Sequence, residues 1–120
     1  MSCQKGETGP AGKDGTNNVH SQTFTTEVWT QSGNTYICYL NDADITQEIL
    51  DKGVMNSYIE IGTGNWYSLP YNYYYVSSIP LSFLPLYSLG KVRIQAINYD
   101  NSPISDPGML TFKVVCIEGN

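Results

Sequence analysis

The sequence predicts an all-β fold: a single β-sandwich of about 7–8 strands with Ig-like or Greek-key connections. It also predicts one short helix near residues 45–52 and a flexible N-terminal tail. From residue 19 onward, short runs rich in Thr, Tyr, Val and Ile are separated by Gly, Asn, Asp, Ser and Pro. Such runs are typical of strands joined by turns, and their number favours two packed sheets.

Strands are predicted wherever such a run lies between turn residues. Ser32-Gly33-Asn34 and Leu89-Gly90 supply residues that tolerate a positive φ, as hairpins require. The predicted strands are Gln22–Thr30, Thr35–Asn41, Val54–Ile61, Asn65–Leu69, Tyr73–Ser77, Leu81–Ser88, Lys91–Tyr99 and Met109–Ile117.

Alternation within two of these runs predicts which side chains form the core. In the run that begins at Lys91, Val92, Ile94 and Ala96 share one face, which we expect to point inward. The last run places Leu110, Phe112, Val114 and Cys116 on one face and a mixed set on the other. It is therefore predicted to be a central strand.

One segment has helical rather than strand character. Asp44 precedes Gln47 by three residues, a spacing typical of a helix N-terminus. Ile45 and Ile49 fall on one side, and Gly53 can adopt the left-handed conformation that ends many helices. Two helical turns between strands are predicted.

The first 18 residues differ from the rest. Glycine recurs every third residue at Gly6, Gly9, Gly12 and Gly15, which is the collagen pattern. So few triplets cannot hold a triple helix alone, which favours a flexible spacer, with participation in a trimer as the alternative. We therefore divide the chain into a collagen-like tether over residues 1–18 and a β-sandwich domain over residues 19–120.

Charge excludes several classes of partner. The chain has 6 Lys and Arg against 11 Asp and Glu, a net charge of -5, and a single arginine, Arg93. No basic stripe is available for a phosphate backbone, so we expect no nucleic acid partner. Prolines interrupt the most apolar segment, and no run reaches the length of a membrane span.

Cysteine and histidine positions argue against a metal site. Cys38 and Cys116 lie in apolar runs, so we expect two buried thiols, with a disulfide as the alternative. No Cys-x-x-Cys motif occurs, and the one histidine, His20, lies at the junction with the tail. Zinc is therefore not expected.

Acidic residues do not form a catalytic motif. Asp42 and Asp44, and the segment Asp100–Asp106, offer oxygen ligands, but the full calcium-loop pattern is missing. Glu27 and Glu60 are the acids in predicted strands, and nothing in the sequence brings them together. There is also no Gly-x-Ser-x-Gly motif. We expect a protein that is not an enzyme, with no cofactor and no metal.

Aromatic residues are the one compositional excess and provide the candidate binding surface. Pro70 and Pro80 flank a tyrosine-rich run and cannot donate to a strand ladder, which predicts an edge strand. These rings either pack against a half-buried sheet face or bind a glycan or another surface protein. The candidate residues are Trp66, Tyr67, Tyr71, Tyr73, Tyr74 and Tyr75.

Several motifs, in order, resemble a known family. A cysteine precedes the collagen triplets, and the domain contains Asp-Ile-Thr-Gln-Glu-Ile-Leu-Asp-Lys-Gly (44–53) and Asn-Trp-Tyr-Ser-Leu-Pro-Tyr (65–71). Gly-Lys-Val-Arg-Ile (90–94) and Phe-Lys-Val-Val-Cys-Ile (112–117) follow. Together they resemble the small collagen-like lipoproteins of Bacteroidetes. The resemblance implies a secreted all-β domain anchored to a membrane by a lipid on Cys3.

The start of the chain departs from that family. Such lipoproteins carry a signal peptide before the lipidated cysteine, whereas only Met1-Ser2 precede Cys3. We expect a processed form, with a cytosolic or phage-encoded chain as the alternative.

The expected function is a non-enzymatic, lipid-anchored protein of the cell envelope, at the outer membrane or cell surface, that displays a binding or structural surface. The alternatives are a glycan-binding module of a polysaccharide-capture system and a trimeric phage-type fibre tip.

Overall fold

The computed structural model describes residues 18–74, 80–98 and 106–119. These ranges contain nine strands and one helix. The elements are β1 (Val19–Thr26), β2 (Thr30–Ser32), β3 (Thr35–Asn41), α1 (Gln47–Lys52), β4 (Val54–Glu60), β5 (Trp66–Ser68), β6 (Tyr71–Tyr74), β7 (Pro80–Ser88), β8 (Lys91–Asn98) and β9 (Leu110–Ile117). The predicted strand from Tyr73 to Ser77 falls partly outside the described residues.

The strands form two antiparallel sheets packed face to face, which confirms the predicted all-β sandwich. The four-stranded sheet has the order β1-β9-β4-β5, and the five-stranded sheet has the order β2-β3-β8-β7-β6. Neighbours such as β1 and β9 are distant in the sequence, so the chain crosses between sheets instead of forming a simple meander. As predicted, the last strand is central, because it pairs with both β1 and β4.

The core lies between the sheets and contains the residues that alternation predicted. Val92, Ile94 and Ala96 in β8 are fully buried, as are Phe112 and Val114 in β9. Burying a residue of this size contributes about 1.5–3 kcal/mol relative to leaving it exposed.

Aromatic rings join the two sheets at the centre of this core. Phe83 of β7 and Phe112 of β9 meet edge to face, with ring centroids 6.4 Å apart. Such edge-to-face geometry stabilises a pair of rings beyond the area it buries.

The prediction of one strand from Gln22 to Thr30 was wrong, because this segment contains two strands in different sheets. The chain leaves β1 at Thr26 and enters β2 at Thr30, and Trp29 lies buried at the crossing. The centroids of the Trp29 and Phe112 rings are 6.2 Å apart. The Trp29 Nε1 donates a hydrogen bond to the Gly108 carbonyl oxygen, and these two atoms are 2.7 Å apart. The burial of this large ring explains why the alternation of inward and outward side chains ends at Trp29.

The helix is present and ends before Gly53 as predicted, but its N-cap residue and the conformation of Gly53 differ from the prediction. Thr46, not Asp44, is the N-cap, and its side chain accepts a hydrogen bond from the Ile49 amide at 3.2 Å. Gly53 is extended, with φ -98, and is not left-handed. A Cβ on Gly53 would lie 2.5 Å from the Ile117 carbonyl oxygen, so the close approach of β9 explains the glycine.

The first described residue, Asn18, lies at one end of the sandwich, which we call the tether end after the predicted tether. The Asn18 carbonyl accepts a hydrogen bond from the Glu118 amide at 2.9 Å, and β1 begins at the next residue. Val19, Ile117 and Val54 align across three strands at this end. Residues 1–17, which include Cys3 and the glycine triplets, lie outside the described residues.

Candidate binding surface

The predicted aromatic surface is divided between the edges of the two sheets. β6, which follows Pro70, is an edge of the five-stranded sheet, as the prolines around the tyrosine-rich run predicted, and β5 is an edge of the four-stranded sheet. Trp66 and Tyr67 lie in β5, and Tyr71, Tyr73 and Tyr74 lie in β6. The side chains of Tyr73 and Tyr74, and the whole of Tyr75, are outside the described residues.

Tyr67 and Tyr71 stack on each other where these two edges meet. Their ring centroids are 4.9 Å apart, with 29° between the ring planes. In the ladders, Tyr67 lies opposite Ile59 and Tyr71 opposite Phe83, both of which are core residues. The pair therefore covers the open side of the core, and Tyr67 remains 42% exposed.

Trp66 lies on the outer face of the four-stranded sheet, opposite Glu60. The Nζ atom of Lys113 is 4.6 Å from the centroid of the Trp66 ring and 5.3 Å from that of Tyr58. An ammonium group at this distance is attracted to the ring face and covers it. The described rings of the predicted surface are thus engaged with other side chains and do not form one continuous platform.

A more extended exposed surface lies on the outer face of the five-stranded sheet. Tyr39 is 55% exposed, Leu84 38% and Leu86 53%, which is unusual for large apolar side chains in the middle of strands. A contiguous patch of exposed apolar side chains commonly marks a binding site. We call this surface the basic face; its residues are Ile37, Tyr39, Leu84, Leu86, Lys91, Arg93 and Gln95.

Strand register defines the arrangement of the basic face. Arg93 in the central strand β8 lies between Tyr39 of β3 and Leu86 of β7. The next outward residue of β8, Gln95, lies between Ile37 and Leu84 in the same way. A polar strip along β8 is therefore flanked on both sides by apolar side chains.

The charge of the basic face differs from that of the whole chain. None of the five strands of this sheet contains an aspartate or a glutamate, whereas β8 contributes Lys91 and Arg93 to the face. The Lys91 Nζ lies 5.2 Å from the centroid of the Tyr39 ring. In a chain of net charge -5, the described strands of this sheet thus carry two cations and no acid.

The Arg93 guanidinium keeps most of its hydrogen-bonding capacity. Its Nη2 donates to Gln95 Oε1 at 3.4 Å, a long hydrogen bond, and its Nε is buried without a partner. A guanidinium carries five N–H donors and matches the geometry of a carboxylate. The Nη groups of Arg93, unlike the buried Nε, can therefore donate hydrogen bonds to a carboxylate of a ligand.

A buried polar cluster lies at the tether end. Asp42 is 1% exposed, and its Oδ1 accepts hydrogen bonds from the Asp44 amide at 3.0 Å and from Gln22 Nε2 at 3.2 Å. The Asp42 Oδ2 is buried without a partner. Burial raises the pKa of the Asp42 carboxyl, and the nearby Asp44 carboxylate adds to the shift, because both disfavour the charged form.

A hollow of about 270 Å³ lies beside this cluster. His20 Nε2 and Glu118 Oε2 are 2.8 Å apart at its rim. Asp44 and Glu48 also line it. Nevertheless, no group of three or more His, Cys, Asp or Glu side chains within residues 18–74, 80–98 and 106–119 is arranged to hold a metal ion.

The structure confirms two buried free thiols, at Cys38 and Cys116. Burial raises the pKa of Cys38 to about 12 and that of Cys116 to about 11. Because the thiolate is the reactive form, we expect both cysteines to react slowly while the protein is folded. In the described part of the chain, no helix is long and apolar enough to span a membrane.

Comparison with known proteins adds no identification. No protein-family model, no curated protein and no solved structure matches this chain.

The basic face was missed in the sequence because its leucines resemble core residues. Leu84 and Leu86 flank Pro85 in the apolar run that is predicted as the strand Leu81–Ser88. One signal was available: from residue 61 to residue 98 the sequence contains neither aspartate nor glutamate. In so acidic a chain, that gap indicates a surface with its own charge.

Proposed function

We propose that this protein is a non-enzymatic, lipid-anchored protein of the cell envelope whose β-sandwich displays a binding surface, and that the basic face is that surface. The observation that carries the proposal is the exposure of Tyr39, Leu84 and Leu86 around Arg93. Leaving such side chains in water gains nothing for folding, whereas burying them against a partner is favourable.

The position of the tether supports this assignment. The tether enters at β1, which is an edge of the four-stranded sheet, whereas the basic face belongs to the opposite sheet. The basic face begins at Lys91, close to the end of the sandwich where β1 starts, and extends away from that end along β8. A domain anchored through Cys3 would therefore leave the face accessible to a partner.

Lipid labelling tests the anchor. We expect the protein, expressed in a bacterial host with its natural upstream region, to incorporate labelled palmitate and to sediment with membranes. Cys3→Ser should abolish both, because serine lacks the thiol to which the acyl chains are attached and the acyl chains provide the membrane hold. Cys116→Ser is the matched control and should keep the label. Labelling that persists in Cys3→Ser would contradict the anchor.

A glycan-binding module is the second candidate. The stacked pair Tyr67 and Tyr71 favours it, because Tyr67 remains 42% exposed at the open side of the sandwich. Sugars stack on such rings at little entropic cost.

The fibre-tip alternative differs in mass. The proposal predicts a monomer of 13.3 kDa in solution, whereas a trimeric fibre tip would have three times that mass.

A further inference from the structure

We infer that the basic face binds a partner protein that presents carboxylates between apolar side chains. This inference rests on the proposed function, which makes the basic face the binding surface, and it adds the chemistry of the partner. It follows from three properties of the face: its cations, its apolar flanks and the spacing between them.

The cations require an acidic partner. Lys91 and Arg93 point outward from β8, because the alternating residues Val92 and Ile94 are fully buried. Neither cation has a carboxylate on the strands of its own sheet. A carboxylate of a partner could therefore pair with Lys91 or Arg93 without competition from a carboxylate on these strands. Complementary charge gives an interface its specificity and a fast association rate.

The apolar flanks require that the partner also be apolar. Tyr39 and Leu86 lie one strand away from Arg93 on either side, a distance of about 5 Å between strands. A partner that covers Arg93 therefore also covers a ring and an aliphatic side chain. Tyrosine and arginine are the residue types most enriched at the energetic centres of protein interfaces.

The spacing matches protein secondary structure. Lys91 and Arg93 are two residues apart on one strand, so their Cα atoms are separated by about 7 Å. Carboxylates four residues apart on a helix are about 6 Å apart at Cβ. Apolar residues beside such an acidic stripe would then reach Tyr39 and Leu86.

Three other occupants fit less well. Two copies packed by this face would bring Lys91 and Arg93 against the same cations, and juxtaposed like charges cost several kcal/mol. An anionic bilayer gains only about 1 kcal/mol per cation, and this chain has a net charge of -5. An acidic polysaccharide could pair with Arg93 but would leave Leu84 and Leu86 in water, because sugars stack on rings rather than on leucines.

The test uses a designed peptide and the purified full chain. The probe is an amphipathic helical peptide of about 18 residues with a stripe of glutamates flanked by leucines. A second version has lysine in place of each glutamate. The glutamate peptide is titrated into the protein, and the backbone amide NMR shifts are followed. We expect the amide signals of Tyr39, Leu86 and Arg93 to shift, and those on the outer face of the four-stranded sheet to shift less.

Charge-reversal variants test whether peptide binding depends on the cations of the basic face. Lys91→Glu and Arg93→Glu should each weaken binding of the glutamate peptide by about tenfold or more and should create binding of the lysine peptide. Lys52→Glu makes the same charge change on α1 and should leave affinity within about twofold. Because Lys91 is exposed, its variant remains informative even if Arg93→Glu unfolds the domain.

The inference is overturned if neither peptide binds, if the lysine peptide binds the wild-type chain as tightly as the glutamate peptide, or if shifts map to another face. Tighter binding of polygalacturonate or of phosphatidylglycerol vesicles than of the glutamate peptide would also overturn it, as would a dimer formed through this face. None of these outcomes depends on Cys3, so they are distinguishable from a failure of the lipid anchor.

Discussion

Arg93 lies directly opposite Leu86 in the β7–β8 ladder, so the single arginine of the chain is placed beside a leucine that is 53% exposed. One residue earlier in β8, Val92 is fully buried. The same strand thus has one face that forms the core and another that combines charge with exposed apolar groups. This two-sided strand is the basis of the binding surface proposed for the protein.

If the basic face serves binding and not packing, its leucines contribute little to stability. Leu86→Thr should change the free energy of unfolding by no more than about 0.5 kcal/mol, because the side chain is exposed and threonine suits a strand. Phe83→Ala, on the buried face of the same strand, should cost about 3–5 kcal/mol. Urea denaturation of both variants measures the difference, and a large loss for Leu86→Thr would make it a packing residue.

Asp42 should make stability depend on pH in an unusual direction. Its pKa is raised in the folded state, so the folded protein binds the proton more tightly than the unfolded chain does. The fold is therefore stabilised at this site as the pH falls through the raised pKa toward the ordinary carboxyl range, and that gain is complete below the ordinary range.

The variant Asp42→Asn isolates this contribution. Asparagine keeps an acceptor for the Asp44 amide and cannot ionise, so the variant should gain stability over the wild-type chain near pH 7 and lose that advantage as the pH falls. Thermal unfolding of the wild-type chain and of Asp42→Asn, from pH 7 down to the ordinary carboxyl range, measures this difference in stability. A difference that does not vary with pH would contradict the assignment.

Cys38 and Cys116 should resist modification while the protein is folded. Burial and a raised pKa leave almost no accessible thiolate on either residue. Titration with a thiol reagent should detect neither in the native domain and both after denaturation without reductant. A mass two hydrogens below that of the reduced chain would instead show a disulfide.

The glycan-binding alternative predicts that substitution of an aromatic residue at the sheet edge reduces binding, whereas substitution of one on the basic face does not. If sugars stack at the sheet edges, Tyr67→Ala should reduce binding on a glycan array by about tenfold, as expected for loss of one ring contact. Tyr39→Ala removes an exposed ring from the basic face and is the matched control. Absence of glycan binding, or equal losses in both variants, would leave the edge rings with a packing role only.

The sequence was sufficient for the core, because burial on one face imposes a period of two. The inward residues Val92, Ile94 and Ala96 follow directly from that alternation. It was insufficient at Trp29, where a crossing between sheets looks like a continuing strand until the partner of the ring, Gly108, is known. The helix cap was also ambiguous, because Asp44 and Thr46 are both good capping residues.

The candidate site was harder to predict, since it depends on neighbours across the ladder. Tyr67 and Trp66 are adjacent in sequence, but one ring stacks on Tyr71 and the other lies under Lys113. Likewise, alternation places Leu81 and Leu86 on opposite faces of β7, but both faces carry leucines, so the sequence does not tell which face is buried. Only the register of β7 on β8 places Leu86 beside Arg93.

The most direct test of the proposed binding surface is photo-crosslinking in cells that express the protein with its natural upstream region. A photoreactive phenylalanine analogue replaces Leu86 on the basic face in one variant and Asn56, exposed on the other outer face, in the control. The account predicts a crosslinked protein adduct from position 86 and none from position 56. Adducts of equal yield from both positions, or none from position 86, would contradict the claim that the basic face is the binding surface.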